Sequence, residues 1–243
     1  MSRKLFVVSD VHGYFTALRD ALSRAGFDSA NEDHIFVSCG DLFDRGVENA
    51  RVYDFVRSLE RKILIKGNHE DILRDVLECG RLSKTDVSNG TNKTISEFFG
   101  ERAVNERGEI VGADKGKIKE ILEFIDSMSD FYEEGDYIFT HGWLPIILDK
   151  WFRPTLDPSW READGEAWRE ARWLGWWQLY DKGATLKGKT IVCGHRPARL
   201  GRMFDELREP DCDSPFFGKG VIAIDTYTAR SGRVEVLQID SLT

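Results

Sequence analysis

The sequence has no run of about 18 apolar residues, so no segment reads as a helix that crosses a bilayer. It has only four cysteines, Cys39, Cys79, Cys193 and Cys212, with no CxxC pair or other close spacing. That excludes a disulfide scaffold and leaves reduced, mostly buried thiols in a cytoplasmic protein as the expectation. An excess of positive charge is also missing. Against 42 Asp and Glu stand 34 Lys and Arg, for a net charge of −8. A protein that coats nucleic acid or an anionic membrane needs the opposite sign, so neither is expected as a partner, although a local basic pocket remains open. The start, MSRKLFVVSDVHG, has a short apolar run followed at once by charged residues, which is not the pattern of a signal peptide. No internal repeat or low-complexity stretch is found. What is present is ordinary for a globular protein: 41% hydrophobic and 31% charged residues in a chain of 243, long enough to bury a core without a covalent or metal staple.

Residues 1–70 alternate short apolar runs with amphipathic stretches. Leu5–Val8, Ile35–Val37 and Lys62–Ile65 read as strands. Tyr14–Ala25, Val47–Leu59 and Asp71–Leu77 read as helices with one apolar face. A β-α-β-α-β order implies a largely parallel sheet covered by helices. Residues 81–129 are more polar, with helical stretches near Thr94–Phe99 and Lys117–Met128, and read as an inserted helical region within one domain spanning 1–243. Tyr137–Phe139, Thr190–Val192, Val221–Ile224 and Val234–Ile239 restore strand character, and Ser231-Gly232 suggests that the last two form an antiparallel hairpin. All seven tryptophans lie between Trp143 and Trp177, in a region of about 143–180 expected to cover the site. Most are expected in the core of that cover, with a substrate-stacking wall as the alternative.

The residues that follow each strand carry the chemistry. They are Asp10-Val-His12-Gly13, Gly40-Asp41-Leu-Phe-Asp44-Arg45-Gly46, Gly67-Asn68-His69-Glu70, Thr140-His141-Gly142 and Gly194-His195. The carboxyl ends of parallel strands open into one crevice, the usual ligand position of open α/β sheets. Four of the five histidines of the chain fall in this set; His34 does not and reads as a surface residue. Imidazole with carboxylate and amide oxygen suits Mn²⁺, Fe²⁺ or Zn²⁺ rather than Ca²⁺. The many ligands exceed the needs of one ion, and paired ions ~3.5–4 Å apart assist displacement at phosphorus. The adjacent glycines let the backbone turn away from each strand into a crowded site. Cys39 and Cys193 read as small buried strand residues rather than ligands.

In this order the five motifs resemble the calcineurin-like metallophosphoesterase superfamily. Asp44-Arg45-Gly46 and Gly67-Asn68-His69-Glu70 make the chain similar to its phosphoprotein phosphatases, in particular the compact bacterial and phage type. The resemblance implies a four-layer α-β-β-α sandwich of two mixed sheets. It implies two divalent ions, manganese first and iron or zinc as alternatives: one held by Asp10, His12 and His195, the other by Asn68 and His141, with Asp41 and a water or hydroxide between them. His69 would protonate the leaving alcohol, oriented by Asp44, and Arg45 would bind the phosphoryl oxygens. The implied activity is hydrolysis of phosphomonoesters, with phosphoserine or phosphothreonine proteins favoured over small phosphoesters. The chain departs from the family pattern at Ser9, where the phosphatases usually carry glycine, and at Lys66, where a second phosphate-binding arginine is common. Arg172 is the candidate to replace that contact. The rival activities are a symmetrical dinucleoside tetraphosphatase and, from another class, a degenerate member kept as a metal-binding interaction module. The oligomeric state is left open.

Overall fold

A strand buried on both faces must be apolar at every position, whereas one with a wet face alternates. Leu5-Phe6-Val7-Val8 meets the first condition. The computed structural model, which describes residues 3–204 and 213–241, shows why. In β1 (Arg3–Val8), Leu5 and Val7 join one core while Phe6 and Val8 join another on the opposite face. The chain continues through α1 (Phe15–Ala25), β2 (His34–Ser38), α2 (Asn49–Ser58), β3 (Lys62–Leu64) and α3 (Asn68–Cys79). β1, β2 and β3 are parallel neighbours. Helices α4 (Lys84–Asn89), α5 (Thr91–Phe99) and α6 (Lys115–Asp126) make up the expected helical region, and Ile95, Ile121 and Ile125 pack it onto the core that α1–α3 build on this sheet.

The second sheet comes from β4 (Phe131–Glu134), β5 (Tyr137–Thr140), β8 (Thr190–Cys193), β9 (Phe216–Gly218) and β10 (Val221–Ala223), ordered β4-β5-β8-β10-β9 with parallel β5, β8 and β10 at its centre. Between β5 and β8 lie a two-stranded ribbon, β6 (Ile146–Leu148) with β7 (Pro154–Leu156), and helices α7 (Gly165–Ala171) and α8 (Trp176–Asp181). The same period of two sorts these strands. Phe139, Val192 and Ile222 face the first sheet across a shared core with Leu5, Val7 and Val37. Ile138, Ile191, Cys193, Val221 and Ala223 face outward onto a third core containing Trp143, Trp160, Trp168 and Trp176. Helix layer, sheet, sheet and outer layer follow in that order, which is the four-layer sandwich expected. Four tryptophans are therefore core, as expected for most of them, while Trp151 and Trp173 are exposed.

The expected hairpin is overturned. Val221–Ala223 and β11 (Leu237–Ser241) form no hairpin: β11 pairs antiparallel with β1 at the edge of the first sheet. Ser231 ends a short helix, α9 (Thr228–Ser231), and Gly232 is its left-handed cap, so the glycine closes a helix rather than a two-residue turn. α3 also begins earlier than the apolar period indicates, at Asn68, because Glu70 accepts the Gly67 amide and Asp41 Oδ1 accepts the His69 amide where its first turn begins. His34 is half-buried rather than on the surface. Its Nδ1 accepts from the Asp28 amide at 3.0 Å and its ring lies 4.7 Å from that of Phe6. Cys39 and Cys193 are buried and Cys79 is exposed; Cys212 lies outside the described residues. Among the described residues no helix is long and apolar enough to cross a membrane.

Candidate metal centre and its cleft

The strand ends of both sheets meet in one cleft of about 640 Å³, lined by Asp10, His12, Asp41, Asn68, His69 and His195, with Arg45 at the same opening. The backbone turns sharply to deliver these side chains. Asp10, His12, Asp41, Asp44, Arg45 and His195 all have positive φ, between 51° and 74°. Close packing does the rest: a Cβ on Gly67 would sit 2.2 Å from Asp41 Oδ1, and one on Gly194 would sit 1.8 Å from Ser9 Oγ. Glycine is what allows these loops to touch.

The histidines are aimed by backbone carbonyls. His12 Nδ1 donates to Phe43 O at 3.0 Å and His141 Nδ1 to Cys39 O at 2.8 Å. Their Nε2 atoms therefore present lone pairs, and these point at carboxylate oxygens: His12 Nε2 lies 3.7 Å from Asp41 Oδ2, and His141 Nε2 lies 3.3 Å from Asp41 Oδ1. Asn68 Oδ1 is 2.8 Å from His141 Nε2, and Asp10 Oδ1 is 3.9 Å from His12 Nε2. Asp10 is itself fixed by Ser9 Oγ at 2.5 Å and by the His195 amide at 2.9 Å. Ser9, one of the departures from the family pattern, thus orients a carboxylate.

Lone pairs facing lone pairs in a buried site need a cation between them. The titration behaviour says the same. Burial pushes the Asp10 carboxyl well up, helped by the charge of Asp225, and the Asp41 carboxyl up, helped by Asp10. Burial also pushes the imidazoles of His12 and His141 well down, and that of His195 to about 3. Anionic carboxylate and cationic imidazole are both disfavoured, whereas a dication would favour carboxylate and neutral imidazole together. Two groups of donors converge on Asp41: His12 with His69, and His141 with His195, each set within 4.8 Å. The donor set fits two divalent ions that share Asp41.

His69 is within reach of the first of these groups, its Nε2 4.0 Å from Asp41 Oδ2, while its Nδ1 bonds Asp44 Oδ2 at 2.8 Å. Asp44 is fully buried. Thr91 Oγ1 donates to its Oδ2 at 2.8 Å and Thr94 Oγ1 to its Oδ1 at 2.7 Å, both from α5 of the helical region. Its carboxylate therefore has partners other than Arg45, whose exposed guanidinium donates to Asn89 Oδ1 at 3.3 Å. Glu70 is the other support that the motif chemistry left out. Its buried carboxylate accepts the amides of Asp41, Leu42 and Gly67, each at 2.8 Å, and clamps the Asp41 loop to the start of α3. Its place three residues after Gly67, at the third position of the helix, is the signal that could have revealed it. Asp225, buried and lining the cleft, followed no recognised motif; burial pushes its carboxyl up to about 7.

Arg172 is the correction. It does not line the cleft. Its buried guanidinium pairs with Asp71 at 2.8 Å and with Asp130, so it ties α3 to the start of β4 instead of facing a phosphate. Two carboxylates from separate elements hold its terminal nitrogens where they stand, while its buried Nε has no hydrogen-bond partner among the described residues.

Comparison with known proteins places this geometry. Residues 3–221 match the family model of the calcineurin-like phosphoesterases. A symmetrical bis(5'-nucleosyl)-tetraphosphatase of Proteus mirabilis is 31% identical over 101 residues, which cover 41% of this chain and 36% of that protein. The Shewanella-like protein phosphatase 1 of Plasmodium berghei is 27% identical over 160 residues, 60% of this chain and 41% of the relative. The chain therefore spans well under half the length of these curated relatives. A cold-active protein-tyrosine phosphatase of a psychrophilic Shewanella species shares the fold, with a TM-score of 0.56 and 17% identity over 97% of this chain and 75% of its own.

Proposed function

The chain belongs to the calcineurin-like phosphoesterase family, which implies a dinuclear divalent metal centre, and from that premise we propose that it hydrolyses phosphomonoesters, with phosphoseryl and phosphothreonyl proteins as the substrate class. Asp10 and His12 would hold one ion and Asn68 and His141 the other, with Asp41 shared; His195, expected beside His12, groups with His141 around Asp41 and would join the second ion. Manganese is the ion proposed first; iron and zinc suit the same donors. Bound there, two dications would draw charge from the phosphoryl oxygens and lower the pKa of an attacking water.

The observation that carries the substrate class is the buried Asp44–His69 pair at 2.8 Å. A serine or threonine alkoxide leaves poorly unless it is protonated as the bond breaks. His69, held by Asp44 with its Nε2 toward the cluster, is placed to give that proton, and Asp44 is kept in its acceptor orientation by Thr91 and Thr94. Arg45, exposed at the mouth and without a carboxylate partner among the described residues, is free to take the phosphoryl oxygens in a two-point contact.

A leaving-group comparison tests this. His69→Asn is expected to lower kcat on a phosphoserine peptide by roughly 10²–10⁴-fold and distinctly less on p-nitrophenyl phosphate, whose phenolate departs without help. Metal content stays near that of the parent. Equal losses on both substrates, or loss of an ion, would make His69 a ligand and remove the support for this substrate class. The second reading, a symmetrical dinucleoside tetraphosphatase, is favoured by the aromatic side chains of Trp173, Trp177 and Tyr227 in the cleft, which suit nucleobases, and by the Proteus relative. Diadenosine tetraphosphate assayed beside the phosphopeptide separates the two.

A further inference from the structure

One phosphoryl group, met by Arg45 and the metal cluster, leaves most of the positive charge in this cleft without a task. Arg196, Arg199 and Arg230 also line it, in a chain whose net charge is −8. Arg196 and Arg199 come from the segment after β8 and Arg230 from α9, not from the loop that carries Asp41, Asp44 and Arg45. Arg196 and Arg230 are exposed, and neither forms an ion pair with a described carboxylate. Arg199 is half-buried, stacked 4.9 Å above the ring of Tyr227, with Asp213 at 3.9 Å.

The rim that holds them is built rather than loose. The Asp225 carbonyl accepts the Ala198 amide at 2.7 Å, which ties the segments after β8 and β10 together. The Asp225 carboxylate accepts the Tyr227 amide at 2.6 Å and keeps that residue at φ 56°, a strained position for an aromatic side chain. Trp176 Nε1 donates to Arg196 O at 2.9 Å and fixes the backbone at the first arginine. Arg199 has Tyr227 and Asp213 beside it, and Arg196 and Arg199 favour the Asp225 carboxylate, but among the described residues no carboxylate pairs with Arg196 or Arg230, so the rim keeps an excess of positive charge. A second anion in the cleft would meet that excess with charge-assisted hydrogen bonds from arginines whose backbone is already fixed.

Resting on the phosphoprotein reading above, we propose that Arg196, Arg199 and Arg230 form a second anion subsite, which takes another phosphorylated residue of the same peptide while the scissile phosphoserine lies at the metal cluster. The substrate class narrows accordingly to multiply phosphorylated segments. The same chemistry could be satisfied by the adjoining phosphates of a dinucleoside polyphosphate, and the test separates the two.

The experiment compares the parent protein with an Arg196→Gln/Arg230→Gln double variant, both loaded with manganese and checked for fold and metal content. Three substrates are used: a phosphoserine peptide with neutral flanks, the same peptide with a second phosphoserine nearby, and diadenosine tetraphosphate. The parent is expected to show a KM about tenfold lower for the doubly phosphorylated peptide than for the singly phosphorylated one, as one charge-assisted contact would give. In the double variant that ratio falls to near one. No preference in the parent, a preference that survives in the variant, or a proportional fall in kcat on both peptides would overturn the subsite. If neither peptide is turned over but diadenosine tetraphosphate is, and the variant raises its KM, the subsite stands and the phosphoprotein reading falls. If the variant leaves that KM unchanged as well, both fall.

Discussion

Replacing Glu70 with glutamine tests whether the cleft is held together by one buried carboxylate. The side chain keeps its length and loses one acceptor. In the parent, Oε2 receives the Asp41 and Gly67 amides and Oε1 receives Leu42, all at 2.8 Å. With glutamine, the best arrangement keeps the oxygen toward the pair and turns an NH₂ group toward the Leu42 amide, donor against donor. One buried N–H is then unsatisfied, at about 1–3 kcal/mol, and the two surviving bonds weaken from charge-assisted to neutral, at about 1 kcal/mol each. Burial pushes the Glu70 carboxyl up, so removing the buried charge returns part of this. The expected net loss is about 2–4 kcal/mol, a large share of the ~5–15 kcal/mol that a folded domain has. Denaturant unfolding of chelator-treated protein, followed by tryptophan fluorescence, measures it. Because the same clamp sets the Asp41 loop, manganese affinity should fall about 10–100-fold, read by titration. Stability within about 0.5 kcal/mol of the parent, the range of a neutral surface change, would refute the reasoning.

Asp41→Asn keeps the size of the shared ligand but removes its charge; elemental analysis should find at least one ion lost and nearly all turnover gone, and two retained ions with normal rates would deny Asp41 its bridging place. Thr91→Val with Thr94→Val strips both hydroxyl donors from the buried Asp44, which should cost about 1–3 kcal/mol per site in unfolding experiments and slow phosphoserine peptides more than p-nitrophenyl phosphate; unchanged stability and an unchanged substrate ratio would contradict the support role. Asp225 has a folded pKa raised to about 7 by burial, so the folded state holds a proton that the unfolded state releases near pH 4, and this residue's contribution weakens the fold as pH rises from about 4 to about 7, by roughly 1.4 kcal/mol per unit. Chelated Asp225→Asn protein should lack that slope, so melts at pH 5 and 7.5 should show the parent losing stability relative to the variant, and parallel profiles would reject the shift.

The cluster was legible because its chemistry restricts residue type. A ligand to a borderline dication is drawn from Asp, His and Asn, and parallel strands bring their carboxyl ends together whatever else the sequence says. The layers were legible for a similar reason: Leu5–Val8 and Ile191–Cys193 are apolar on both faces. What stayed hidden were side chains defined by a partner far along the chain. Thr94 meets Asp44 across 50 positions, and nothing local marks it as different from any threonine on a helix. Arg172 read as a phosphate ligand because its two carboxylates sit on α3 and before β4, 101 and 42 residues away. Ser231-Gly232 misled because a turn glycine and a helix-capping glycine carry the same local signature, and only the course of the chain to the far sheet separates them.

The positive φ of Asp10, His12, Asp41, Asp44 and His195 has a bearing on which substitutions such a site can explore. Among residues with side chains, Asp, Asn and His are the types most at ease in the left-handed region, and they are also good donors to a dication. Glutamate or glutamine could offer the same oxygen, but each would meet two filters at once, a longer reach to the ion and a backbone that resists it. Neutral drift from Asp to Glu, common on an exposed helix, is therefore closed at these positions even before catalysis is selected. The short vocabulary of the motifs is partly a property of the turns that carry them.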